Sequence, residues 1–183
     1  TYSAIVANEF FDALPVRQII IKNHEMKEVG VTIDDNGNFS FDHYEARCDT
    51  KNFMAQQKSL QNGQIFEFSP DANYILDELC SFLKYSKGHL LIFDYGFLNS
   101  SFSSTLQSLY KNQKTNLLDH IGKQDITYHI NFNEFKNIIE KFKPETINFY
   151  NQSEFLEKNG IHERAHDLIQ NNPDEKEEIE LQV

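Results

Sequence analysis

Two short, uninterrupted apolar runs constrain this chain most: Ala4-Ile5-Val6-Ala7 near its start and Leu90-Leu91-Ile92-Phe93 further along. Runs of this length without alternation read as strands covered on both faces, as in a parallel sheet. The stretch between them has a different period. Val16 to Ile21 and Lys27 to Ile33 alternate weakly and are rich in β-branched residues. Asp34-Asp35-Asn36-Gly37 then separates the second run from Asn38-Phe39-Ser40-Phe41, and Asn-Gly between two such runs signals a hairpin. Ile65-Phe66-Glu67-Phe68 closes what reads as an antiparallel insertion over about residues 16–68. Ser69-Pro70-Asp71 opens a helix, with Ser at the N-cap and Pro in the first turn. Its apolar stripe is Ala72, Ile75, Leu76, Leu79, Phe82 and Leu83. Strand, helix and strand around an antiparallel insertion predict an α/β domain.

Residues 97–128 show no clear period and read as loop with short elements. Asn131 is the expected cap of a second helix, with Glu134 in the reciprocal position and a stripe of Phe135, Ile138, Ile139 and Phe142. Thr146 to Tyr150 reads as a last strand, Ser153 as the cap of a short helix, and Ile161 to Ile169 as one more helix. The expected organisation is one domain over residues 1–172 and an acidic, frayed tail over 173–183. A chain that opens on a buried strand without a lead-in is expected to be truncated at its N-terminus.

The net charge of −11 disfavours nucleic-acid binding, which relies on Lys and Arg patches. It is compatible with a basic protein partner. The two cysteines, Cys48 and Cys80, lie far apart and are expected to be buried thiols in a reducing compartment. His162, Glu163 and His166 share a helical spacing but have no further ligand nearby in sequence, so no metal is expected. No run approaches the roughly 18 apolar residues a membrane span needs, and no signal peptide is visible.

Open α/β sheets bind ligands at the carboxyl ends of their strands. Two such ends carry polar clusters here. Asn8, Glu9 and Asp12 follow the first apolar run, set among Phe10, Phe11, Leu14 and Pro15. Asp94-Tyr95-Gly96 follows the second. Carboxylates beside aromatics are costly if buried without partners, so a functional site is one reading. An exposed turn whose Phe residues pack inward is the other.

The string Ala7-Asn8-Glu9-Phe10-Phe11-Asp12-Ala13-Leu14-Pro15-Val16-Arg17-Gln18 resembles the signature of the MidA family of class I S-adenosylmethionine-dependent methyltransferases. Further strings resemble later family motifs in order. They are Ile65 to Pro70, Leu91 to Gly96, Thr105 to Gln107, Gly122 to Thr127, Asn131-Phe132, and Asn151 to Leu156 with Gly160-Ile161. Five or six in order make a specific match over about residues 3–170. The resemblance implies a partial Rossmann-like sheet with an antiparallel β insertion, truncated at the N-terminus. It implies S-adenosylmethionine as cofactor and a protein substrate, with arginine in a respiratory complex I subunit as the family's example.

The family pattern places Glu9 and Asp12 as catalytic residues. Asn8, Phe10, Phe11, Pro15, Asp94, Tyr95, Gly96 and Asp125 stand beside substrate or cofactor. The chain also departs from the family. The Gly-rich cofactor loop and the ribose-gripping acid lie upstream of the matched region, the seven glycines contain no Gly-x-Gly, and the closing Gly-x-x-Phe-Lys strand is absent after Val183. Asn112, Ile121 and Asn131 replace a usual His, Pro and Asp. Weak or no cofactor binding is therefore expected of this chain alone. The alternative is a non-catalytic fragment or partner-binding module from a split or decaying gene. A homodimer, or pairing with a missing N-terminal half, would cover its open strand edge. The family setting is bacterial cytoplasm, or the mitochondrial matrix in a eukaryote.

Overall fold

A computed structural model of the chain describes residues 2–55, 60–99 and 101–181. It divides into two compact units, Thr1–Pro144 and Glu145–Val183. The first opens with β1 (Ser3–Asn8), followed by β2 (Arg17–Lys22), β3 (Glu25–Ile33) and β4 (Phe39–Glu45). A short helix α1 (Cys48–Met54) precedes β5 (Ile65–Phe68). Then come α2 (Pro70–Ser86), β6 (Gly88–Phe93) and β7 (Gly96–Phe97). The unit ends with β8 (Gln107–Tyr110), β9 (Gln113–Thr115), β10 (Asp125–Thr127), β11 (Ile130–Asn131) and α3 (Phe132–Glu140). The class is mixed α/β.

The two apolar runs do pair in parallel, from Ser3 opposite Gly88 to Asn8 opposite Phe93. They are not covered on both faces. Along β1 exposure alternates, with Ala7 buried and Val6 63 % exposed. The reason is one-sided packing. Ala7 joins Leu76 of α2 and Phe135 and Ile138 of α3 in one core cluster, and among the described residues no second helical layer faces Val6. Gly88 begins β6 at φ 156°, directly against the Ser3 carbonyl, where a Cβ would collide with backbone.

The insertion is a four-stranded antiparallel sheet in the order β4-β3-β2-β5. Asp34 shapes the β3–β4 turn, its Oδ1 accepting the N–H groups of Asn36 and Asn38 while Gly37 takes φ 83°. A second core forms on this sheet from Ile19, Met54, Phe66 and Phe68, with Phe53 stacked on Phe68 at 4.2 Å. Helix α1, which no periodicity in the sequence announces, supplies Phe53 and Met54 to it. Buried Thr50 anchors the helix by donating to Glu28, whose carboxylate also accepts from Arg47 N and Nε. Cys48, expected to be buried, is exposed at the start of α1, while Cys80 is buried on α2; both thiols are free.

Glu67 of β5 ties the insertion to the rest of the unit. Its carboxylate accepts from Gln18 Nε2 at 2.7 Å, Thr105 N at 3.0 Å and Thr105 Oγ1 at 2.5 Å. Thr105 Oγ1 in turn accepts from His129 N at 2.8 Å.

Helix α2 starts as its sequence predicts, Ser69 Oγ accepting the Ala72 N–H. Phe82 leaves the expected stripe and is exposed, and buried Cys80 takes its place. Residues 97–128 are more regular than expected. They hold a three-stranded antiparallel sheet, β10-β8-β9. Lys111 and Asn112, both at positive φ, form the two-residue turn between β8 and β9, a geometry Asn tolerates well.

The second unit contains α4 (Gln152–Lys158), α5 (Ile161–Asn171), a 3-10 turn Pro173–Glu175 and α6 (Lys176–Leu181). Residues 146–150 form no strand here. The cap of α4 is Asn151 rather than Ser153, in a complete capping box with Glu154. Within the acidic tail, Lys176–Leu181 is helical. Lys176 lies 3.6 Å from Glu180 one turn on.

Candidate functional site

The parallel register of β1 and β6 brings Glu9 and Asp94 out of the same end of the sheet. Glu9 N donates to Phe93 O at 2.8 Å, and Glu9 itself takes φ 45°. That left-handed residue turns the chain sharply, so residues 10–12 fold back over the end of β6. The Asp94 carboxylate receives the turn. Its Oδ2 accepts Phe11 N at 3.0 Å and its Oδ1 accepts Tyr95 N at 3.2 Å. Phe11 is fully buried between Phe10 and Phe135, with ring centroids at 5.1 and 5.0 Å in edge-to-face geometry. Phe11 thus packs inward. Phe10 stays 43 % exposed.

The third wall comes from the segment before α3. Tyr128 N donates to Asp12 O at 3.1 Å, and Ile130 N donates to Tyr95 O at 2.8 Å. Strands β7 and β11 then run parallel, Gly96 opposite Ile130. A side chain at Gly96 would collide with the Ile130 carbonyl and the Phe132 ring, so Gly96 is required by close approach.

Most of the sequence-predicted site residues therefore converge. Glu9 is exposed and takes a 3.5 Å hydrogen bond from the Tyr95 hydroxyl. Asp12 lies beneath, only 3 % exposed, and among the described residues its Oδ1 has no hydrogen-bond partner. Asn8 and Pro15 are exposed at the two ends of the turn. Asp125 is not brought into the cluster by any contact of its own; it sits exposed on β10 opposite Leu109.

Burial and like charge shape the electrostatics. Burial, then the neighbouring Asp12 charge, pushes Asp94 up to about 6. Burial and the Glu9 charge raise Asp12 from the usual carboxylate range. Sequence reasoning missed Tyr128, which is buried with its hydroxyl on Ser69 and whose pKa is raised by burial. Glu134 was expected only as a capping partner. Asn131 Oδ1 does accept the Glu134 N–H, but the Glu134 carboxyl turns inward and accepts Asn73 Nδ2 at 2.5 Å.

Burial raises Glu134 to about 7 from 4.5. The folded chain then holds more protons than the unfolded chain between those values, so this group's contribution to stability falls as pH rises through them. Glu134→Gln keeps an acceptor for Asn73 and removes the titration. In urea unfolding, the stability of the variant relative to the unmutated protein should rise from pH 4.5 to 7 and level off above it. Parallel stability curves across this range would show that the carboxyl is not buried as described.

Among the described residues no group of three or more His, Cys, Asp or Glu could hold a metal. His166 instead shares a 2.8 Å contact with Gln170 one turn along. No described helix is long and apolar enough to cross a membrane.

A family model for an S-adenosyl-L-methionine-dependent methyltransferase matches residues 1–149. The chain belongs to this family. Curated relatives include rat "Protein arginine methyltransferase NDUFAF7, mitochondrial", 29 % identical over 92 % of this chain and 38 % of the relative. The Caenorhabditis elegans homologue is 23 % identical over 98 % of this chain and 42 % of its own length. The chain thus spans about two fifths of the curated relatives it matches. Two Burkholderia thailandensis crystal structures share the fold. One superposes with TM-score 0.82 at 21 % identity, covering 98 % of this chain and 49 % of that one. The other was solved bound to S-adenosyl-homocysteine and gives TM-score 0.79 at 23 % identity, covering 96 % of this chain and 47 % of that one.

Proposed function

We propose that this chain forms the acceptor side of an S-adenosylmethionine-dependent protein methyltransferase, directed at arginine and linked to respiratory complex I assembly. The carrying observation is the acidic strand-end cluster, with Glu9 outermost and Asp94 and Asp12 behind it. A guanidinium stays protonated because its pKa exceeds about 12. Carboxylates pair with its fork and draw positive charge toward the nitrogens they touch. The remaining nitrogen becomes the better nucleophile, and holding it in line with the donor methyl supplies much of the rate.

The residues present suit a cationic acceptor and the cationic sulfonium of the cofactor. They do not form a backbone cradle at the end of β1, where the positive-φ residue is Glu9 and not glycine. We therefore assign most of the grip on cofactor ribose and methionine to residues of the family fold outside this segment, in a Rossmann-like sheet that β1 and β6 extend. When bound, S-adenosylmethionine supplies the methyl group; this chain binds and orients the group that receives it. The relatives' mitochondrial names favour a matrix setting for a eukaryotic protein, and a bacterial one would work in the cytoplasm.

The test is transfer of an isotope-labelled methyl group by the full-length protein to a complex I subunit, read by mass spectrometry. The reading expects label on arginine. Label on another residue type would overturn the arginine assignment, and no label with intact substrate binding would favour the partner-docking alternative.

A further inference from the structure

We propose that Asp12 and Asp94 work as one proton-holding pair that takes up the proton released when the acceptor nitrogen is methylated. This rests on the methyltransferase reading and goes beyond it by assigning the base. The acceptor nitrogen bonds to the methyl carbon as the carbon–sulfur bond breaks, and that bond's electron pair stays on sulfur. The guanidinium enters with one positive charge and leaves with one, so an N–H proton must depart.

Glu9 is a poor candidate to receive it. It is exposed, and the reading above uses its charge to hold the guanidinium. The pair behind it is placed differently. Asp94 is half-buried, aligned by the Phe11 and Tyr95 N–H groups, and lies one strand away from Glu9 at the same sheet end. The Asp12 carboxyl faces the Asp94 carboxyl, is buried, and has one oxygen with no donor. A buried carboxylate oxygen without a donor is costly, and a second carboxylate beside it adds repulsion; one proton on the pair relieves both. The other groups that face the pair do not supply compensating positive charge. Among the described residues they are Glu9 directly after β1, Tyr95 after β6, buried Tyr128 from the β10–β11 segment, and Glu134 of α3 across Tyr128. An Asp94 held at about 6 is also a far better proton acceptor near neutral pH than an ordinary carboxylate. The two carboxyls titrate as a unit.

The experiment is the pH profile of kcat for the full-length protein with cofactor and an arginine-bearing substrate. The unmutated protein should lose activity on the acid side near pH 6. Asp94→Asn keeps an oxygen for the Phe11 N–H, yet should lower kcat about a hundredfold and remove that acid limb, while KM for the acceptor changes little. Asp12→Asn removes the like charge and should move the limb to lower pH, a shift that a purely structural role would not produce. Unfolding curves establish that each variant is folded. Unchanged kcat in Asp94→Asn, or a limb that stays near pH 6 in both variants, overturns the pair. An unmutated protein that methylates no arginine overturns the functional reading itself, and is told apart because no variant is needed to see it.

Discussion

Replacing Glu9 with Gln should lower methyl transfer by about ten- to hundredfold while leaving cofactor binding nearly unchanged. Glu9 is the outermost carboxylate of the cluster, held by its own left-handed turn and by the Tyr95 hydroxyl. Gln preserves the size and an acceptor oxygen for Tyr95, so the turn should survive. It loses the charge, and a charge-assisted pair to a guanidinium is roughly twice as strong as a neutral hydrogen bond. The loss falls on the acceptor because Glu9 points to solvent and not into the core. Initial rates by mass spectrometry, alongside calorimetric titration of the cofactor, check this. An unchanged rate would remove Glu9 from the machinery and leave the turn as a structural feature.

The second large effect is on stability. Phe11→Ala should destabilise the first unit by about 3–5 kcal/mol. Phe11 is fully buried and meets both Phe10 and Phe135 edge to face, so truncation removes the ring's burial and leaves a cavity between β1 and α3. The ring also anchors the turn whose N–H groups hold Asp94. Phe11→Leu refills most of the space and should cost less than half as much. Urea unfolding of both variants separates the roles. A small loss in Phe11→Ala would mean the ring is not in the core, and its proper place would then be beside the substrate.

The strand ends were legible because their chemistry is local. An apolar run followed by Asn8-Glu9 or by Asp94-Tyr95 marks a strand meeting polar surroundings, whatever the fold around it. The β insertion was legible for the same reason, through alternation and the turn at Asp34–Gly37. What stayed hidden depends on partners distant in sequence. Tyr128 shows its place only once its N–H meets the Asp12 carbonyl and its hydroxyl meets Ser69. Glu134 reads as a cap from spacing alone, and only packing against α2 turns its carboxyl inward to Asn73. The apolar run Ala4–Ala7 suggested two covered faces, yet period cannot say how many layers are present to do the covering. Thr146 to Tyr150 has strand composition but finds no partner strand here, and composition without pairing does not make a strand.

The central claim is that the ends of β1 and β6 receive the acceptor group. Hydrogen exchange of the full-length protein, saturated with S-adenosyl-homocysteine and titrated with an arginine-bearing substrate peptide, tests it most directly. The account predicts slowed exchange in residues 8–12 and 94–96 that depends on the peptide's arginine and disappears when that arginine is replaced by glutamine. Protection confined to the β insertion, with residues 8–12 and 94–96 unchanged, would contradict it.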